Sequence, residues 1–296
     1  MKNRKFHQKT ILGSFRTYGL AGLLLIILAE VLLFLKVEFF TIFFTPIVWT
    51  GYILLVDAFL FKLKGSSLIT HRTREFLFML PWSVICWFIF EAYNLKMNNW
   101  YYLGLPEPLV VRVIGYVWSF ATIFPGILLT SELLDALRIF SKVRVPPMKI
   151  GPKVLHSWMM VGAVFLIVPP LFPARIAAYL IAPVWLGFVF LLDPWNGLLD
   201  EHSLFLDLRQ GKIDKLLSLF LAGLICGLLW EFWNYWATTK WVYNLPYLRN
   251  PRIFEMPLAG FLGFLPFAVE CYALQTWGWH IFKKCMKAYP LPDTRN

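Results

Sequence analysis

The sequence predicts an all-α integral membrane protein: an eight-helix bundle built from two four-helix repeats in parallel orientation. Three observations carry that prediction. Of the 296 residues, 59% are hydrophobic and 15% are charged, against roughly 45–50% and about 25% in a soluble domain. The apolar residues gather into eight stretches, each near the roughly 20 residues that cross a bilayer as a helix. The second half of the chain also repeats the first.

The elements follow in order. A basic segment, residues 1–17, precedes a first repeat over 18–150 with spans at Tyr18–Leu35, Phe39–Phe61, Phe76–Tyr93 and Leu109–Leu137. A second repeat over 151–283 has spans at Val154–Phe172, Arg175–Leu192, Lys215–Ala237 and Pro257–Phe282, and residues 284–296 form a tail. Only Lys36-Val37-Glu38 separates the first two spans, which requires a hairpin there. Tyr18–Leu35 is long and lacks an A-x-A-like cleavage site, so it is expected to remain as a span.

The net charge of +11 would suit a nucleic acid if it were spread over one surface. With eight crossings it is not. Twenty-one of the 28 Lys and Arg residues fall on the side of the N-terminus and seven on the other. That asymmetry is the positive-inside signature, so both termini are expected to be cytoplasmic. The basic face then suits anionic lipids, and no nucleic-acid partner is expected. Cys86, Cys226 and Cys271 lie in apolar spans and Cys285 in the basic tail, a pattern of small core residues with no disulfide scaffold.

The repeat is legible without gaps over twelve residues. Pro46 to Asp57 matches Ala182 to Asp193 at a shift of 136, with Trp49 on Trp185, Gly51 on Gly187 and Asp57 on Asp193. Ser67-Leu68 continues onto Ser203-Leu204. A shift of 140 aligns Cys86 with Cys226, Glu91 with Glu231, Asn94 with Asn234 and Pro106 with Pro246. Trp100 and Tyr102 match Trp241 and Tyr243 with one gap, and Glu132 matches Glu270 in a looser register. Four spans per repeat is an even number, so the halves share one orientation about an axis along the membrane normal.

Each repeat has an irregular segment after its third span, Leu95–Pro108 and Thr238–Met256, rich in Trp, Tyr, Asn and Pro. These read as an aromatic belt at headgroup level or as a lid over a pocket between the halves. The loop Asp193–Asp214 reads as an amphipathic surface helix or as a solvated connector with a short helix.

Chemistry in such a chain is sought among ionisable groups inside the spans, which are costly in lipid. Glu91 and Glu231 each occur as Glu-x-x-Asn, with Asn94 and Asn234 on the same helix face. Trp230 and its aromatic neighbours surround the second of these, so that Glu231 is a candidate to hold a proton and donate it. Glu270 lies near mid-depth in the last span, and Glu255 precedes Met256-Pro257 at its start. Glu30, Glu132 and Asp135 are further intramembrane acids, whereas Asp57 and Asp193 are expected at solvated span ends or as loop caps. Gly260, Gly263 and Ala259 suggest close helix packing in the eighth span. The five histidines form no ligand pair, and neither C-x-x-C, nor a Walker loop, nor a dinucleotide fingerprint, nor a nucleophile elbow occurs. No metal and no cofactor is expected.

Trp230-Glu231, then Trp241-Val242-Tyr243-Asn244, then Pro257 with the apolar Phe261–Phe267, resembles the membrane-integral lycopene cyclase domain, which often occurs twice in one chain. The resemblance covers about 60 residues of the second repeat, and the first more thinly through Glu91, Trp100 and Tyr102. The P-x-E-E acids of that family fall at Ala259 and Gly260 here. The resemblance implies a cofactor-free isomerase acting on an apolar polyene or isoprenoid lipid. Its proton donors would be drawn from Glu231, Glu270, Glu91 and Glu255. Trp230, Asn234, Asn94, Trp241, Tyr243, Trp100 and Tyr102 would line the substrate. The residues alone also admit a lipid or ion transporter with intramembrane carboxylates, or a membrane scaffold without chemistry.

Overall fold

The computed structural model describes residues 15–247 and 250–288. Most of the predicted N-terminal segment and most of the tail lie outside the described residues. Eight described helices are long and apolar enough to cross a membrane: Thr17–Phe34, Phe44–Lys64, Thr73–Met97, Leu109–Ala136, Pro152–Leu171, Ala174–Leu198, Asp214–Trp236 and Leu258–Ala288. The chain is an all-α, multi-pass membrane protein. Its outward apolar side chains (Leu24, Phe34, Leu109, Val110 and Met160 among them) stay exposed, as a lipid solvent permits.

Packing repeats with the sequence. The first span lies on the second and the fifth on the sixth. At these two crossings the backbones touch through small residues. A Cβ added to Gly22 would stand 2.5 Å from the Gly51 carbonyl, and one added to Gly162 would stand 2.7 Å from that of Gly187. Lipid offers no hydrophobic drive between helices, so such close van der Waals approach is what holds them. The fourth span packs on the second and seventh, the eighth on the sixth and third, and the fourth and eighth meet each other at the centre. Each contact of one repeat thus has its counterpart in the other, as a pseudo-two-fold axis requires.

Four spans are interrupted towards the same side, at matching positions. A short helix, Glu38–Ile42, precedes the second span, and one at Ala174–Ala177 opens the sixth. The fourth breaks between Ala121 and Ile123, and the eighth starts with a 3₁₀ turn, Leu258–Gly263. At the break in the fourth span the Ser83 hydroxyl donates to the Phe120 carbonyl at 2.5 Å and accepts from the Phe124 amide at 3.2 Å. Backbone groups freed inside a membrane need such partners. Trp49 packs on Gly126 and Trp185 on Gly263, each 2.9 Å from where a Cβ would be. Gly263 thus makes room for Trp185 of the neighbouring sixth span, in keeping with the expected close packing, whereas Gly260 makes room for Met256 of its own segment.

One face carries most of the ion pairs. Glu132 accepts from Lys64 at 2.6 Å and from Arg72, Lys215 reaches Asp135 at 2.8 Å, and Glu201 accepts from His280 and Lys283, both at 2.8 Å. Asp57 and Asp193 are not solvated, contrary to one expectation. Both are fully buried and both act as caps. Asp57 takes Ser67 Oγ at 2.7 Å and the Ile69 amide at 3.0 Å, while Asp193 takes Ser203 Oγ at 2.8 Å and the Phe205 amide at 3.0 Å. The predicted loop 193–214 is shorter, because the sixth span runs on to Leu198. Its one helix is the short Leu204–Arg209, capped by Ser203. The eighth span likewise continues to Ala288 and absorbs the start of the predicted tail.

Candidate functional site

The opposite face holds the site. Strand β1 (Trp100–Leu103) follows the third span and β2 (Lys240–Tyr243) follows the seventh. They pair antiparallel, with Trp100 opposite Tyr243 and Tyr102 opposite Trp241. The irregular segments are thus a ribbon tying the two repeats together.

Asparagines set the ribbon in place. The Asn94 carboxamide accepts from the amides of Asn99 at 2.8 Å and Trp100 at 3.2 Å and donates to the Trp100 carbonyl at 2.8 Å. Asn234 repeats the motif on Trp241, accepting from its amide at 3.0 Å and donating to its carbonyl at 2.8 Å. Both asparagines orient strands, and neither is among the residues lining the cavity between the repeats.

The two glutamates are then met by the aromatic side chains of the strands. Glu91 Oε1 accepts from Trp87 Nε1 at 3.0 Å, Trp100 Nε1 at 3.0 Å and Tyr102 Oη at 2.6 Å. Glu231 Oε1 accepts only from Tyr243 Oη at 2.8 Å, and Trp241 Nε1 donates to that phenol at 2.8 Å instead. Glu231 is fully buried and its Oε2 has no partner. The position matching Trp87 is Gly227, whose space the Phe264 ring fills. Of the three kinds of donor that meet Glu91, the second carboxyl keeps the phenol. Burial first, and the adjacent carboxylate next, push the Tyr102 and Tyr243 phenols well above their ordinary range, so both stay protonated at working pH.

A cavity of about 130 Å³ lies between the repeats. Trp87, Trp100, Tyr102, Trp185, Trp230, Trp241, Tyr243, Phe264 and Phe267 line it, and Arg112 and Lys240 also reach it. Phe267 packs its ring against Trp87, Trp185 and Trp230 at centroid distances of 5.8, 5.9 and 5.9 Å. Glu91 and Glu231 themselves stand behind this wall, and their tyrosine partners face the cavity.

Two other expected acids are elsewhere. Glu255 follows the short strand β3 (Arg252–Ile253), in the turn before β4 (Met256–Pro257), and pairs with Lys240 at 2.6 Å. It is part of the outer loop rather than a helix start. Glu270 lies about one turn beyond Phe267, fully buried, with neither carboxylate oxygen partnered. Trp49 and Trp185, packed on Gly126 and Gly263, set the register of the fourth and eighth spans at a shift of 137. Glu132 and Glu270 are then not equivalent: the first belongs to the ion pairs of the opposite face. Glu30 accepts from Trp233 Nε1 at 3.1 Å. Among the described residues no group of three His, Cys, Asp or Glu side chains is arranged to hold a metal ion.

Sequence reasoning did not single out Trp87, Arg112 or Lys240. Trp87 was accessible in principle, since it lies four residues before Glu91 on the same helix face. No family model, curated protein or solved structure matches this chain.

Proposed function

We propose that the protein binds an apolar isoprenoid or polyene lipid in the aromatic cavity and isomerises it by proton transfer from Glu231 through Tyr243, in the manner of a lycopene cyclase. One observation carries the reading. Glu231 is a buried carboxyl with a free oxygen, hydrogen-bonded to a phenol that faces an aromatic cavity.

The chemistry follows from those contacts. When Glu231 carries a proton, its hydrogen bond to Tyr243 can reverse, the carboxyl donating to the phenol oxygen. With Trp241 donating to the same oxygen, the phenol proton is free to face the cavity. Its transfer to a substrate double bond forms a C–H bond with the π electrons and leaves a carbocation on the neighbouring carbon. The faces of Trp87, Trp185 and Trp230 attract such a cation. Attack by a second double bond closes a ring, and return of a proton from the substrate to the phenolate or carboxylate restores the site. The substrate is neither oxidised nor reduced, and no cofactor is called for. Glu91, with three donors on one oxygen, acts as the anchor of the first strand.

The charge asymmetry supports an orientation with both termini cytoplasmic and the cavity towards the outer leaflet. Anionic lipids would then meet the ion-paired face.

The test has two parts. The purified protein is extracted and its bound lipid identified by mass spectrometry; an isoprenoid or polyene is expected, and its absence removes the reading. The wild type, Glu231→Gln, Tyr243→Phe and Glu91→Gln are then compared in cells fed lycopene. Ring formation is expected in the wild type. It should fall about 100-fold or more in the Glu231 and Tyr243 variants, the lower end of what general acid catalysis supplies, and persist in Glu91→Gln. Unchanged product in Glu231→Gln would take Glu231 out of the mechanism.

A second reading, proton-linked movement of a lipid or ion, is favoured by Glu270, whose two oxygens have no partner at mid-depth. Flux into liposomes that is equal for the wild type and Glu270→Gln would dispose of it.

A further inference from the structure

Arg112 and Lys240 are the charged side chains among the residues that line the cavity, and those two are hard to explain by stability. The outer side holds seven of the 28 cationic residues, and two of them reach this one space. Arg112 is the fourth residue of a helix that begins at Leu109 and has no acid in its first turn. A helix N-terminus carries partial positive charge from its unpaired amides, so a cation is disfavoured there and an anion welcome. Pro106 and Val111, on either side of that N-terminus, line the same cavity.

The cations are only partly engaged. Arg112 spends Nε and Nη2 on one neutral acceptor, the Pro106 carbonyl, at 3.2 and 3.1 Å. Lys240 is paired with Glu255, whereas Arg112 has no carboxylate within ion-pair distance among the described residues. The Thr45 hydroxyl is also part of the lining, and its oxygen is buried without a hydrogen-bond partner. Guanidinium, ammonium and helix N-terminus together form a recognised anion site, here at the edge of an apolar cavity.

We infer that the ligand is an amphiphile, a prenyl chain ending in a phosphate, with its chain among the tryptophans and its anionic head held by Arg112 and Lys240. This rests on the proposed isoprenoid reading and extends it to lipids with an acidic head.

The experiment titrates the purified protein in detergent with geranylgeranyl phosphate and with geranylgeraniol, reading quenching of the cavity tryptophans. The phosphate is expected to bind at least about 10-fold more tightly, equivalent to about 1.4 kcal/mol. The double variant Arg112→Gln, Lys240→Gln should lose that preference and keep its affinity for the alcohol, which also certifies its fold. Equal affinities in the wild type, or a preference that survives in the double variant, would overturn the inference while leaving the isoprenoid reading intact. Inorganic phosphate is the third probe. If it binds as tightly as the prenyl phosphate, the site takes a free anion and the amphiphile is wrong. If neither prenyl compound binds, the isoprenoid reading falls together with the inference.

Discussion

Trp100 of the first repeat stands opposite Tyr243 of the second, and Tyr102 opposite Trp241. Each pair joins the indole position of one strand to the phenol position of its counterpart. Two equivalent strands can pair in this way only if the dyad that relates them passes through the ribbon. The axis deduced from four spans per repeat therefore runs through the site. Each strand delivers its aromatic donors to its own carboxyl while bracing the other.

That geometry predicts a cross-link. Tyr101 and Val242 are directly opposite on the ribbon, where Cβ atoms stand about 4.5–5.5 Å apart. Changing both to cysteine, in a Cys285→Ser background, should allow a disulfide on mild oxidation. A protease cut in the 137–151 connection would then leave the halves joined on a non-reducing gel. A Tyr101→Cys, Lys240→Cys pair, two residues out of register, should cross-link far less. Equal cross-linking of the two pairs would refute the register.

The spans, their number and the repeat were legible in sequence because a bilayer imposes a long apolar run on every crossing, and the matching Pro, Trp, Gly and Asp residues sit at fixed intervals within those runs. The Glu-x-x-Asn pairs were legible for the same reason, as polar residues that lipid would otherwise exclude. What escaped was direction. Nothing in the spacing says that Asn94 turns back to hold the chain at Trp100, or that Glu91 faces Trp87 rather than the cavity. Asp57 and Asp193 looked like solvated ends because they close apolar runs. They are buried because each folds the following loop onto itself. Glu132 and Glu270 looked like a pair because the breaks in spans four and eight obscure the register between them.

The two asparagines should contribute measurably to stability. Asn94→Ala strands two amides and a carbonyl at the foot of β1, and Asn234→Ala strands an amide and a carbonyl at the foot of β2. Leaving such groups unpaired costs about 1–3 kcal/mol each site. Both variants should lower the apparent melting temperature in detergent. Asn94→Asp keeps the acceptor and loses only the donor, so it should lose less. A melting temperature unchanged in Asn94→Ala would mean that the strand is not held by this residue.

Close approach of helices makes a sharper contrast. A Cβ on Gly162 would lie 2.4 Å from the Leu191 amide nitrogen, whereas Gly151 has nothing within 4 Å. Gly162→Ala should therefore force the fifth and sixth spans apart and cost about 1–3 kcal/mol, as overpacking does. Gly151→Ala should be neutral within about 0.5 kcal/mol. Chemical denaturation of the two variants side by side checks this, and equal stability would show that the fifth and sixth spans do not meet through their glycines.

Acid should loosen the opposite face first, at Glu201. Burial alone would raise its carboxyl, but hydrogen bonds from Lys283 and His280 and their charges outweigh that and hold it below the ordinary carboxylate value. A carboxyl lowered in the folded state contributes stability above its unfolded value, about 4.3. That contribution is lost as pH falls through the lowered folded value. Glu201→Gln should thus melt below the wild type at neutral pH, by an amount set by a pair of about 1 kcal/mol or less. The gap should hold down to about pH 5 and close by about pH 3. Melting curves of both proteins across that range decide the matter: a gap that stays constant or widens on acidification would show that Lys283 and His280 do not stabilise the ionised carboxyl.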